Sequence, residues 1–532
     1  MSFEKIQLLS GWTVPDQTSI AMSGRKATLE IENGGGDFLI FEYAYPGREE
    51  ERGVTVTVRV FDETVGQFRG FYSFPFYIGF KIPSFPQKRL LVTLETDHSF
   101  FLTDGKGERK EYGLFLYHME ILDRKTQPLR YERFEAKTDN IKAHFLKLLN
   151  PSREAQPLPI GLLLEPTSRC NMNCVMCARS IPGHRKDEEC DLSESFASLV
   201  GRATRGTQAV RIQGLGEPLI SSRFVPLMND LESNQVHVVT FNTNGYLLDK
   251  EMAQYLVEKG KTFEHFRVSF SLDAATQKIY ERIRGRDLER VVKNIRYLQE
   301  YKKKTGAVRP SVFVNMTLSK TNIGDLPGLV RLAHELEAEV ELSHLAQDKN
   351  YGDIRLQKPP HFVFDYQKEV LTACPELFNK YLRRAERMGQ RLKVRIHKAG
   401  DVAYMEEPPP RFRVLRRLRE VFRQRVKARS RTTMPDDSPQ PPREKDPAFE
   451  NLPLCLLPWS QMVISAKGDI SLCCVQGTVD HLKNYASVEE AWHSERIGRI
   501  REQLSRRVFP PECETADCTV RRWNTRVCII HQ

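Results

Sequence analysis

Between Glu165 and Cys177 the chain reads Glu-Pro-Thr-Ser-Arg-Cys-Asn-Met-Asn-Cys-Val-Met-Cys, which sets three cysteines, Cys170, Cys174 and Cys177, at intervals of four and three. The count is informative. A structural zinc or iron site normally closes its coordination with four protein ligands, whereas three thiolates on one short loop can hold a [4Fe-4S] cluster and leave its fourth iron open for chemistry. The competing reading is a loop of structural cysteines, or a zinc site lacking a ligand.

Composition sets the bounds. A chain of 532 residues is long enough for two or three domains, each with its own core. With 40% apolar residues, no run approaches a membrane span, and Met1-Ser2-Phe3-Glu4-Lys5 lacks the basic-then-apolar form of a signal peptide, so cytoplasmic residence is expected. The eleven cysteines fall into two groups, with Cys190 and Cys374 apart from both, a distribution that favours metal ligation over a disulfide framework. The formal charge of +11 is local: ten Arg or Lys and one Glu lie between Arg411 and Arg431, giving that segment +9 and leaving +2 for the rest. With no zinc finger or helix-turn-helix pattern elsewhere, a nucleic-acid partner is not expected.

Five regions follow from the patterning. Residues 1–125 read as an accessory β-sandwich: Val54-Thr55-Val56-Thr57-Val58-Arg59-Val60 alternates, and Ala27–Ile31, Phe38–Tyr43, Leu90–Leu94 and Leu114–Ile121 are short apolar runs without helices between them. Residues 126–158 form a linker with one short helix, Asn140–Leu149. Residues 159–405 alternate strands (Ile160–Leu164, Ala209–Gln213, Val236–Asn242, Phe266–Leu272, Ser311–Leu318, Glu339–Ser343) with helices (Leu192–Ala203, Phe224–Glu232, Lys250–Glu258, Leu288–Tyr301, Leu329–Glu337, Tyr366–Met388). Six β-then-α units predict a parallel sheet with the site at the carboxyl ends of its strands. Residues 406–447 are a basic, Pro-rich insertion. Its Val414, Leu415, Leu418, Val421, Phe422 and Val426 recur at helical spacing among arginines, which suits an anionic membrane surface or an acidic partner, or else a solvated helix. Residues 448–532 carry the second cysteine group.

The C-x3-C-x2-C spacing after an apolar strand resembles the signature of the radical S-adenosylmethionine (SAM) superfamily. That resemblance implies an open six-unit barrel. It also implies that the open iron chelates the methionine moiety of SAM, that an electron from the cluster cleaves SAM, and that the 5'-deoxyadenosyl radical abstracts hydrogen from substrate. Met176 stands where the family usually has an aromatic residue near the adenine. Gly214-Leu215-Gly216-Glu217-Pro218 is similar to the family's Gly-Gly-Glu-Pro motif, with glycines that let the backbone approach a ligand. Asn244, at the end of the third strand, and Ser271 and Asp273, at the end of the fourth, suit a ribose and a methionine carboxylate, and Arg284 suits a bidentate pairing with that carboxylate. As bare residues, the Gly-Glu-Pro stretch could equally be a turn and Arg284 a surface ion pair.

Cys455, the turn at Lys467-Gly468-Asp469, Cys473, Val488 to Ser494 and Cys513 to Cys518 resemble the C-terminal extension called SPASM, or Twitch in its shorter form, which carries auxiliary iron–sulfur clusters. The resemblance implies one auxiliary [4Fe-4S] cluster on Cys455, Cys473, Cys513 and Cys518, with Cys474 and Cys528 as substitutes; a structural zinc on the same four thiolates is the alternative. The expected partners are an external flavodoxin- or ferredoxin-like electron donor and a small-molecule or peptide substrate. The N-terminal region resembles sandwich domains appended to sugar-modifying proteins, which tilts the substrate toward a carbohydrate or other small metabolite. A peptide- or protein-modifying maturase is the alternative within the class, and a non-catalytic electron-transfer or iron–sulfur protein the alternative outside it.

Overall fold

The computed structural model describes residues 6–10, 12–13, 20–44, 54–70, 76–97, 100–103, 109–112, 114–128, parts of 130–140, 158–180, 186–345, 355–358, 362–398, 402, 404–405, 455, 457–473 and 477–513. The insertion at 406–447, nearly all of the expected helix Asn140–Leu149, and Cys474, Cys518 and Cys528 lie outside them.

Alternation in the first region folds as a pair of antiparallel five-stranded sheets. One runs Ile6–Ser10, Lys26–Glu32, Arg89–Thr96, Val54–Val60, Glu63–Gly70 in spatial order, and the other Trp12–Thr13, Ile20–Met22, Phe115–Leu122, Phe38–Ala44, Phe76–Lys81. Val56, Val58 and Val60 turn inward with Leu29, Val92 and Leu94, while the threonines and Arg59 between the valines remain partly accessible. Opposite faces of one strand therefore meet core and water, as a period of two requires.

The next region supplies strands β1 (Gly161–Leu164), β2 (Ala209–Ile212), β3 (Val238–Thr243), β4 (His265–Ser271), β5 (Ser311–Leu318), β6 (Glu339–His344) and β7 (Ile396–Lys398), all parallel and in sequential order. Between them run α1 (Glu194–Ala203), α2 (Phe224–Ser233), α3 (Lys250–Gly260), α4 (Gln277–Arg284), α5 (Leu288–Lys304), α6 (Leu326–Glu335) and α7 (Pro375–Leu392). Local chemistry starts these helices. Ser193 accepts from the N–H of Phe196 at 3.2 Å and Asp249 from that of Met252 at 2.8 Å, each satisfying a donor that has no intrahelical partner.

Three departures from expectation have physical causes. The single helix expected over Tyr366–Met388 is broken, because Pro375 has no N–H to continue it and instead opens α7. Helix α4 was not anticipated; it is eight residues long and mostly polar, and ends where Gly285 takes a left-handed conformation, φ +71°. The six-stranded sheet is extended on both sides. Beyond β6 lies β7, and beside β1 lies β8 (Gln461–Ile464), which pairs with it in parallel and continues antiparallel into β9 (Asp469–Ser471) and β10 (Asp480–His481). The C-terminal extension thus shares the sheet of the central region.

Val210, Ile212, Val239, Phe241, Val268, Phe270, Val314 and Leu342 point from the sheet into the helix layer. The alternate residues, among them Arg211, Gln213, Asn242, Arg267, Asn315 and Glu341, lie on the other face and are partly accessible. The sandwich docks at the amino ends of these strands: Phe38, Ile40, Tyr77, Leu122, Tyr131 and Phe134 form one cluster with Val238, and Gln208 donates to the carbonyl of Tyr77 at 2.7 Å.

Candidate functional site

The cysteine loop leaves the carboxyl end of β1 and is braced from several directions. Arg179, buried, donates to the carbonyl of Met172 at 3.1 Å and pairs with both oxygens of Glu189 at 2.6 and 2.7 Å. The Ser180 hydroxyl donates to the carbonyl of Cys174 at 2.7 Å, and the Val175 N–H to that of Ile283 at 2.9 Å. The fixed loop then presents its sulfur atoms to two side chains. Asn244 Nδ2 lies 3.9 Å from Cys170 Sγ and donates to Asn171 Oδ1 at 2.7 Å, and Arg284 Nη1 lies 3.4 Å from Cys174 Sγ. Burial first, then the neighbouring thiols, pushes the Cys177 thiol up to about 11, and Cys170 shifts the same way. Ligation by a metal displaces these protons, so the loop suits a bound cation far better than it suits three free thiolates.

The residues that the resemblance associated with SAM converge on this edge, but several have protein partners. Arg284 forms an ion pair with Asp273, which is fully buried and adopts φ +60°. Burial works against the guanidinium charge, but Asp273 and Cys174 outweigh it and raise its pKa. Asp273 Oδ1 also accepts from the Thr317 N–H at 2.6 Å. The Asp273 carboxylate thus holds Arg284 on one oxygen and β5 on the other. Arg284 Nε remains buried with no acceptor among the described residues, a donor that a bound carboxylate would satisfy.

Glu217 is likewise internal. Its oxygens accept from the Thr243 hydroxyl at 2.6 Å and from the N–H groups of Asn244 at 2.7 Å and Leu219 at 3.2 Å, while burial pushes its carboxyl upward. It organises the ends of β2 and β3 around Asn244. Pro218, buried, opens the short 3-10 turn that follows. The two glycines also make room within the protein itself. A Cβ on Gly216 would stand 2.0 Å from the Thr167 carbonyl oxygen, and one on Gly214 would stand 2.3 Å from a Glu165 oxygen, so both are small to admit the protein's own cysteine loop and a carboxylate. Ser271 sits half-buried at the end of β4, and Met176 packs against Val175, Ile283, Leu345, Phe364 and Tyr366. Sequence reasoning missed Arg179, Glu189 and Glu165, whose partners lie at distances that no local pattern encodes.

In the C-terminal extension, the β8–β9 hairpin returns the chain so that Gln461 Nε2 reaches the Leu472 carbonyl at 3.2 Å, which brings Cys473 back beside the segment leading out of Cys455. Cys455, Cys473 and Cys513 are each partly accessible. No group of three close metal ligands for a single ion occurs among the described residues.

A parallel sheet with three thiols on the first strand's loop, extended by a hairpin that leads to Cys473, is the frame within which two regions of the chain match known families. Residues 164–333 match the Radical SAM superfamily, and residues 455–519 match SPASM, an iron–sulfur cluster-binding domain. The chain therefore carries a radical SAM domain and, C-terminal to it, a SPASM domain, and the cofactors of those domains are a [4Fe-4S] cluster, SAM and auxiliary iron–sulfur clusters. It is 31% identical over 185 residues to the tungsten-containing aldehyde ferredoxin oxidoreductase cofactor-modifying protein of Pyrococcus furiosus, covering 34% of this chain and 50% of that one. It is 29% identical over 196 residues to the PqqA peptide cyclase of Gluconobacter oxydans, covering 35% and 49%. The chain thus spans about half the length of these curated relatives. The structure of Streptococcus suis SuiB bound to S-adenosylmethionine aligns at 17% identity and TM-score 0.42, covering 69% of this chain and 70% of that one.

Proposed function

We propose that this chain binds SAM over the Cys170–Cys177 loop and uses it to abstract hydrogen from a polar small molecule, a carbohydrate or another small metabolite, lodged against the open face of the sheet. A [4Fe-4S] cluster on Cys170, Cys174 and Cys177 supplies, when bound, the electron that splits SAM into methionine and the 5'-deoxyadenosyl radical. The observation that carries the reading is the approach of Asn244 and Arg284 to the sulfur atoms of Cys170 and Cys174, with Arg284 Nε left over for an acceptor. Asp273 holds the guanidinium in place, Glu217 holds Asn244, and the glycines let the loop close. An electron-transfer protein needs none of these groups.

The substrate class rests on the face of the sheet opposite the helices. Asn242 donates to Gln213 at 3.1 Å, Ser269 to Glu341 at 3.1 Å, and Arg267 pairs with Glu341 beneath the carboxyl edge. A surface of amides, hydroxyls and charges favours a hydrogen-bonding substrate over an apolar one. The likeness to a peptide cyclase supports a second reading, a peptide-modifying enzyme. In either case we infer a cytoplasmic protein reduced by a flavodoxin- or ferredoxin-like donor. Among the described residues, no helix is long and apolar enough to cross a membrane.

The test is anaerobic reconstitution with iron, sulfide, SAM and dithionite. Formation of 5'-deoxyadenosine is expected, with deuterium transferred into it from labelled substrate. A reconstituted protein that binds four irons at Cys170 to Cys177 and leaves SAM intact would overturn the reading.

A further inference from the structure

Glu165 ends β1 and precedes the cysteine loop, and its carboxylate is shared between two regions that are far apart in sequence. Oε1 accepts from the Leu215 N–H at 2.5 Å, within the Gly214-Leu215-Gly216 loop, and Oε2 accepts from the Ala466 N–H at 3.1 Å, in the turn between β8 and β9. The Glu165 backbone N–H donates to the Ile464 carbonyl at 3.0 Å, continuing the β1–β8 ladder. Glu165 is 9% exposed, so each arm is a charge-assisted hydrogen bond largely shielded from water. The absence of a side chain on Gly214 is what lets the loop close on this carboxylate. The other polar link to the turn, Lys467 with Glu188 at 3.0 Å, is about half exposed and contributes little.

We propose that Glu165 is a positioning residue that couples SAM occupancy of the Gly214–Glu217 loop to the hairpin leading to Cys473. Fixing the Leu215 N–H by a ligand on that loop fixes the carboxylate, which in turn fixes the Ala466 N–H seven residues before Cys473. By linkage, loosening the hairpin lowers affinity for SAM by the same factor. The coupling rests on the proposed binding of SAM over Cys170–Cys177, beside which this loop packs, the Glu217 N–H donating to the Arg169 carbonyl at 2.8 Å.

A clean probe exists because Ser465 to Gly468 is a tight turn. The Gly468 N–H donates to the Ser465 carbonyl at 2.9 Å, and Gly468 follows with φ +91°. Ala466 occupies the position of such a turn at which proline is favoured, so Ala466→Pro removes the one donor and leaves the turn intact. Reconstituted full-length wild type, A466P and E165Q are compared by equilibrium dialysis against SAM, and by hydrogen–deuterium exchange of the peptide spanning 461–472. In wild type, bound SAM is expected to slow exchange of that peptide about 5-fold or more, the low end of measured couplings. In both variants SAM should bind about 5-fold more weakly, with unchanged iron content and no SAM-dependent protection of the hairpin. Wild-type SAM affinity in A466P, or full protection in E165Q, would overturn the proposal. Failure of wild type to bind SAM at all would remove the functional reading, and the coupling with it.

Discussion

The two ends of the central sheet use charge in opposite ways. At the carboxyl end, cationic and polar groups converge on sulfur: Arg284 and Asn244 approach Cys174 and Cys170, and Arg284 keeps one buried donor without an acceptor among the described residues. At the amino end, charges satisfy one another between the sandwich and the core. Arg130 pairs with Glu264 at 2.8 and 3.0 Å and also with Glu120, while His118 meets Glu120 at 3.1 Å. The carboxyl end thus gathers its polar groups around the thiols, whereas at the amino end ion pairs tie the sandwich to the core. The sandwich meets the core at the amino ends of the strands, the opposite end of the sheet from the cysteine loop.

The strongest break of this contrast is removal of the thiolates. A variant with Cys170, Cys174 and Cys177 all changed to Ala should form no 5'-deoxyadenosine, and should retain about four irons of the eight expected for two four-iron clusters. Metal analysis checks this. One zinc in place of the remaining irons would return the C-terminal cysteines to the structural-zinc reading without touching the first site. Next in size is Asp273→Asn. Asparagine tolerates the left-handed backbone at this position, so the change removes the charge that holds Arg284 with little added strain. Loss of a group that orients a ligand-binding side chain typically costs about 10–100-fold in affinity or activity. SAM affinity should fall in that range while the melting temperature of the sandwich-to-core interface is unchanged.

The smallest effect lies at the amino end. Burial pushes the Glu42 carboxyl up to about 7, against the pull of the Tyr77 hydrogen bond, His118 and Arg309 and with the push of Glu264. The folded state therefore holds a proton that the unfolded chain releases near its ordinary carboxylate value. The associated stability is full below that value and is lost as pH rises through about 7. Glu42→Gln should be more stable than wild type at pH 8, by about 1 kcal/mol or somewhat more, and should flatten the pH profile of thermal unfolding without altering SAM cleavage. An equal loss of SAM cleavage in this variant would erase the distinction between the two ends.

Much was legible from residue order alone. The intervals between Cys170, Cys174 and Cys177, the alternation that makes the sandwich and the six β-then-α units are all local signals. Each depends on neighbours within a few residues, where backbone geometry fixes which side chains share a face. Tertiary structure alone decided that β8 joins β1 across nearly three hundred residues, that Asp273 pairs with Arg284, that Gly214 and Gly216 make room for Glu165 and Thr167, and that one carboxylate serves both the Gly214–Gly216 loop and the hairpin. A hydrogen-bond acceptor or a small residue looks the same in sequence whatever it faces. Which partner it meets is fixed only when the sheet brings distant segments to within about 3 Å of one another.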